Sequence, residues 1–296
     1  MSKRGIKSPF SYSLMAPAGI LYFALFFIPT VASLFFSLTR WTLTDWTFIG
    51  LDNFKLYFTE QQLRIGFRNT FVYAVTTSAL KVIIALYLAS FLTTNLRTRG
   101  FLRSVVFFPA LVSTIGIGIT FSILLDPFYG VINTAIKTIT GSVGWVTDGP
   151  GWLTDPNLLP ILSIALVDVW KGVGIATLIY IAGFAAIPKD YYEASAIDGA
   201  SPRQQFYKIS IPLARPAMFA VVLLSFIGGL RSFDLIWAMT GGGPGFISDV
   251  VASINYKQYM SGYYGLATAG NVILYLFITI LVFPLSRFMS KKETDR

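Results

Sequence analysis

Long uncharged stretches constrain this chain more than anything else. Six segments carry apolar runs of about 20 residues, the length a helix needs to cross a hydrocarbon layer roughly 30 Å thick. They are Leu14–Leu38, Asn69–Thr93, Phe101–Leu125, Leu158–Ile187, Pro216–Met239 and Leu266–Met289. Inside a bilayer every backbone N–H and C=O must be bonded within the chain, so such runs are helices. Charged residues make up 12% of the sequence, about half the ~25% of a soluble globular chain. The expected fold class is therefore all-α: a polytopic membrane protein of six transmembrane helices. Residues 1–13 read as an amino-terminal tail, 14–289 as the transmembrane domain and 290–296 as a carboxy-terminal tail. The first run is too long for a signal-peptide core and reads as a retained anchor.

The residue inventory removes most chemistry. With no histidine and no cysteine, Ser–His and Cys–His catalysis, disulfides and the common zinc sites are excluded. No GxxxxGK[ST] loop occurs, so any ATP must be bound by a partner. The reading is a non-catalytic chain with no metal site and no cofactor of its own. The net charge of +9 does not indicate nucleic acid, because its placement follows the membrane. With both termini in the cytoplasm, fourteen Lys and Arg fall on the cytoplasmic side and six outside, as the positive-inside rule requires. The outer segment Asp126–Asn157 carries Trp145 and Trp152, and Trp41 and Trp46 follow the first span; these suit the headgroup layer.

Residues 188–212 form the sizeable cytoplasmic loop. Pro188 fits the first turn of a helix that runs through good helix formers to Asp198, and Gly199 stands where a left-handed terminator belongs. Ser201, Pro202 and Gln204 then spell a capping box that restarts a second helix, with Phe206, Ile209 and Leu213 as its apolar face. Within this loop, Glu193-Ala194-Ser195, Asp198-Gly199-Ala200 and Ile209-Ser210-Ile211-Pro212 resemble the EAA loop of ABC-importer permeases. That pattern is Glu-Ala-Ala, a glycine after three more residues, and Ile-x-Leu-Pro after nine more. The spacing is the same here; Ser195 and Ile211 are the departures. Thr240-Gly241-Gly242-Gly243-Pro244 is similar to the maltose-type carbohydrate permeases, in particular to the first of their two non-identical subunits and to its compact members.

The resemblance implies a type I ABC importer permease fold in the cell membrane. It also implies a second, non-identical permease, two cytoplasmic ATPase subunits that bind ATP and Mg, and an extracytoplasmic binding protein that delivers a small-molecule sugar. Residues 188–212 would be the coupling helix. Glu193, Ala194, Asp198, Gly199, Ile209 and Pro212 would carry the contact with the ATPase.

Apart from Arg103 and Arg287 at the cytoplasmic ends, five charged residues fall inside the expected spans: Lys81, Asp168, Lys171, Arg231 and Asp234. Charges at that depth face protein or water. Asp168 and Lys171, like Arg231 and Asp234, are three apart and are expected to pair locally; Lys81, with no local partner, is left to pair with Asp168 or Asp234 across helices or to donate to a substrate hydroxyl or carboxylate. Ser225, Gly228, Gly229 and Ser232 form a small, polar stripe on span five, either a close helix contact or a ligand gap. Phe233, Trp237 and Tyr180 are aromatic surfaces on which a sugar can stack. The substrate-pathway candidates are thus Lys81, Ser225, Gly228, Gly229, Arg231, Ser232, Asp234 and Trp237. A permease for another polyol or a glycerol-phosphate-type solute is the alternative within the family. An ion-coupled secondary transporter is the rival from a different class, disfavoured by the single short six-span unit and the coupling motif.

Overall fold

The computed structural model describes residues 15–94, 97–142 and 149–294. All of residues 1–13, the expected amino-terminal tail, and Trp145 lie outside them. Four helices are long and apolar enough to cross a membrane: α1 (Ala16–Phe36), α3 (Gln61–Leu92), α7 (Leu159–Ala185) and α13 (Tyr264–Thr294). Two bent pairs bring the number of candidate spans among the described residues to at most six. In the first, α4 (Arg99–Leu111) and α5 (Thr114–Leu124) meet at 90°; in the second, α9 (Pro202–Leu213) and α10 (Arg215–Leu230) meet at 69°. Shorter helices complete the chain: α2 (Asp52–Thr59), α6 (Val131–Ser142), α8 (Asp190–Ile197), α11 (Asp234–Thr240) and α12 (Val251–Met260).

Proline shapes two of these helices. Residues Phe23–Phe27 of α1 and Phe206–Ser210 of α9 are wider π-type turns, each followed two residues on by a proline, Pro29 or Pro212. Proline has no N–H to donate and its ring crowds the carbonyl one turn back, and a widened turn relieves both problems. The α4–α5 bend begins at Val112, whose backbone is extended, and Ser113 then caps α5 by accepting from Gly116 N–H.

The core is built around α3, which packs on α7 and α10. One buried cluster joins Tyr73 of α3 to Ile161 and Ile164 of α7 and Ile236 of α11. A second, toward the other end, joins Ala85 and Ala89 to Tyr180, Phe184 and Val221. A third joins Tyr57, Leu63, Ile254 and Ile273. Small residues set the close approaches: a Cβ on Gly174 would stand 2.4 Å from the Val106 carbonyl oxygen of α4, and one on Gly118 of α5 would stand 2.4 Å from Ala238 Cβ of α11. The hydroxyls of Thr70, Thr77 and Thr177, buried in the helices, bond to the carbonyl one turn back, so they carry no desolvation debt. By contrast, α1 buries no residue. Such a helix is at rest only when its surroundings are hydrocarbon.

Several boundaries differ from the sequence reading. The second span begins at Gln61 rather than Asn69, and the last helix continues past Met289 to Thr294. A two-stranded antiparallel hairpin, β1 (Thr39–Trp41) and β2 (Trp46–Phe48), follows α1. It is pinned by Asn53, whose amide donates to the carbonyls of Ser37 and Thr39, and by Trp41 stacked on Phe36. Two tryptophans assigned to the headgroup layer are thus also strand residues. The fifth span is shorter than expected: α10 stops at Leu230, and α11 is a separate helix beginning at Asp234.

Candidate coupling loop and translocation pathway

The loop between α7 and α10 is two short helices joined at Gly199, whose φ of +78° lies in the left-handed region. Its absent Cβ would meet nothing within 4 Å, so the backbone angle and not crowding calls for glycine here. Ser201 and Gln204 form the reciprocal capping box that starts α9. Between the helices, the Gln205 amide donates to the Tyr192 carbonyl and to Ser195 Oγ, and Tyr192 Oη meets Ser210 Oγ at 2.9 Å. Ser195, a departure from the family pattern, therefore ties the two helices together.

The two helices face different ways. No residue of α8 is buried: Glu193, Ala194, Asp198 and Gly199 are exposed, and Ile197 is 87% exposed. Phe206 and Ile209 instead pack against the buried Tyr180–Phe184–Val221 cluster of the spans, and Pro212 is half-buried. The loop thus has an outward face on α8 and an anchor on α9. Ile197 was not singled out in the sequence, although an isoleucine between Glu193 and Gly199 was the available signal.

Of the expected intramembrane pairs, the cross-helix one forms and the two local ones do not. Lys81 of α3 reaches Asp168 of α7 at 2.7 Å, with the two side chains 12% and 22% exposed. Gly172, one turn beyond Asp168, makes the room: a Cβ there would lie 2.7 Å from Lys81 Cε. Asp168 and Lys171 form no ion pair. The hydroxyl of the fully buried Tyr73 makes no hydrogen bond among the described residues. Arg231 and Asp234 form no ion pair either, because the chain leaves helical geometry between Arg231 and Phe233 and the three-residue spacing no longer places them on one helix face.

The small stripe also divides. Gly229 is buried against α3, where a Cβ would stand 2.7 Å from Ala74 Cα, while Gly228 is exposed and faces open space. Ser225 is half-buried on α10; Ser232 lies past its end. Beyond the break, Asp234 and Trp237 are exposed one turn apart on α11. Phe233, Trp237 and Tyr256 form an aromatic trio with centroid separations of 4.8–5.6 Å. Tyr180 is fully buried and takes no part in it.

The glycine segment after α11 is rigidly held. Asn69 of α3 donates to the carbonyls of Ile247 and Asp249. Asp249, fully buried, accepts from Ser253 and pairs with Lys257 at 2.7 Å. Burial pushes its carboxyl above the usual range, against the lowering effect of the Lys257 and Ser253 bonds. Gly242, at φ +85°, lies where any Cβ would collide with that carboxylate. Among the described residues no group of three or more acidic side chains is placed to hold a metal ion.

Residues 61–294 match the family model described as "Binding-protein-dependent transport system inner membrane component". The trehalose/maltose transport system permease protein MalF of Thermococcus litoralis is 29% identical over 283 residues, covering 94% of this chain and 93% of that protein. The sn-glycerol-3-phosphate transport system permease protein UgpA of Agrobacterium fabrum is 28% identical over 289 residues, covering 95% and 94%. A chain of the bacterial alginate ABC transporter, solved in complex with an alginate pentasaccharide-bound periplasmic protein, superposes with a TM-score of 0.81 at 20% identity over 96% of this chain and 94% of that one. The chain belongs to the family of binding-protein-dependent transport system inner membrane components, and it is a multi-pass permease of that family.

Proposed function

We propose that this permease is one of two non-identical membrane subunits of an ABC importer for a sugar or oligosaccharide. The observation that carries the reading is the loop with two faces: α8 exposes Glu193, Ala194 and Ile197, while α9 is seated in the core of the spans. An ATPase subunit docking on α8 would push directly on α7 and α10. In this reading the two cytoplasmic ATPase subunits bind ATP and Mg, and an extracytoplasmic protein delivers the solute. The permease holds no cofactor and catalyses nothing, and both its termini are cytoplasmic.

Arg231, Asp234 and Trp237 at the α10–α11 break, with Gly228 beside it, supply exposed charge and an aromatic face next to the end of the fifth span. That combination suits a polyhydroxylated ring: charged groups for its hydroxyls and the Phe233–Trp237–Tyr256 trio for its apolar face. Lys81 is spent on Asp168 and is not a lead contact. A phosphorylated polyol is the second reading, favoured by the exposed Arg231 and by the relative named for sn-glycerol-3-phosphate.

The test is reconstitution with the second permease, the ATPases and the binding protein. ATP hydrolysis should rise only when binding protein and sugar are both present. Uptake by this chain alone, driven by an ion gradient without ATP, would replace the reading with a secondary transporter.

A further inference from the structure

Between α2, α3 and α13 runs an apolar groove of about 550 Å³. Phe58 and Phe67 form one wall, Leu276 and Ile280 the other, and the buried Tyr57 and Ile273 the floor. The floor offers no free polar atom, since the Tyr57 hydroxyl is bonded to Asn255 and Asn255 in turn to Asn271. One cation lines the groove, Arg64, in the first turn of α3. It is exposed and forms no ion pair among the described residues. Glu60, one turn before it, lines a separate groove with Arg40 on another side of α2. Lys55 nearby is paired with Asp52.

The order of these features is informative. In the proposed topology the amino-terminal end of α3 is the outer one, so Arg64, in its first turn, stands on the outer headgroup side. From there the groove descends along α13 from Ile273 to Ile280, about 10 Å of helix axis. An unpaired guanidinium above an apolar channel matches a phosphodiester above an acyl chain. Walls that are deeply exposed, with Ile280 at 68% and Phe58 at 65%, mark an interaction surface, and the lone cation at one end of it favours a lipid as the occupant.

We infer that this groove is a binding site for one diacyl phospholipid, its phosphate on Arg64 and one acyl chain between α3 and α13. In the proposed topology the lipid comes from the outer leaflet. The site is separate from the solute pathway and from the coupling loop, so it does not depend on which solute is carried.

The test uses the assembled transporter in vesicles doped with phosphatidylglycerol bearing a photoactivatable diazirine on its acyl chain. A parallel sample receives diacylglycerol with the same chain and no phosphate. Adducts should concentrate at Phe67, Leu276 and Ile280 relative to Leu25 on the lipid-facing α1. Arg64→Gln should lower phosphatidylglycerol labelling of the groove about fivefold, the scale of one interfacial cation, and leave diacylglycerol labelling unchanged. Leu276→Trp, which fills the channel, should lower both. Groove labelling no higher than at Leu25, or unaffected by Arg64→Gln, would reduce the occupant to bulk lipid and overturn the site. Absence of labelling in the assembled transporter would also overturn it, by showing that a protein partner covers the groove.

Discussion

Lys81 and Asp168 come from different helices, and each is nearly closed off from solvent by the other and by the room that Gly172 leaves. A partly buried pair of this kind is costly to break from one side, because the remaining charge keeps part of its desolvation penalty and loses its partner; the scale is about 1–3 kcal/mol, below that of a fully buried pair. Lys81→Met is therefore expected to lower the melting temperature of the purified transporter sharply, and Asp168→Asn to do so less, since an asparagine can still accept from the ammonium. The double variant Lys81→Met/Asp168→Leu removes both charges and should recover most of the loss. Uptake should recover with it if the pair only clasps α3 to α7. Recovery of stability without uptake would return Lys81 to the solute pathway.

Two adjacent glycines in α10 should respond in opposite ways. Gly229 is buried against Ala74 and Thr77 of α3, so Gly229→Val forces the helices apart, at roughly 1–3 kcal/mol for overpacking. Gly228 looks onto open space, and Gly228→Ala should cost nothing in stability and gain up to about 1 kcal/mol in helix propensity. Thermal melts at matched expression decide this; equal losses for both would mean that α10 does not pack as described. The same element shows what a sequence can and cannot disclose. The cytoplasmic loop is legible because its signals are local: a glycine at a left-handed position and a capping box over Ser201–Gln204 act within a few residues. The end of α10 is not legible, because Arg231-Ser232-Phe233 contains no proline or glycine to mark it. The sequence offers Asp168 and Asp234 alike as partners for Lys81, and the choice between them, like the placing of the stripe glycines, depends on how α3, α7 and α10 register against one another. Periodicity cannot give that register, and spacing along one helix pointed to local pairs that do not form.

At the scale of the whole molecule, the proposed function assigns docking and transmission to different side chains of one loop, and this separation can be tested. α8 has no buried residue and contributes Glu193 and Ile197 to the outward face. α9 sends Phe206 and Ile209 into the cluster that includes Tyr180 and Phe184 of α7 and Val221 of α10. A force applied to α8 reaches the spans through Gln205, the Tyr192–Ser210 bond and that apolar seat. Changing the outward face should therefore release the ATPase: Ile197→Asp places a charge at a contact built for an apolar side chain, and Glu193→Ala removes a charge-assisted bond worth roughly 1.5–3 kcal/mol if it is desolvated on docking. Co-purification of the ATPase and uptake should fall together. Loosening the seat should act otherwise. Phe206→Ala or Ile209→Ala opens a cavity under a half-buried side chain, at about 1–3 kcal/mol, while α8 keeps its surface. Those variants should retain the ATPase and its ATP hydrolysis, yet lose uptake and the response to binding protein and solute, because the docked helix then moves without carrying α7 and α10 with it. Loss of ATPase from both classes of variant would mean that α8 and α9 form one docking surface. Full uptake by the seat variants would mean that the force enters the spans elsewhere.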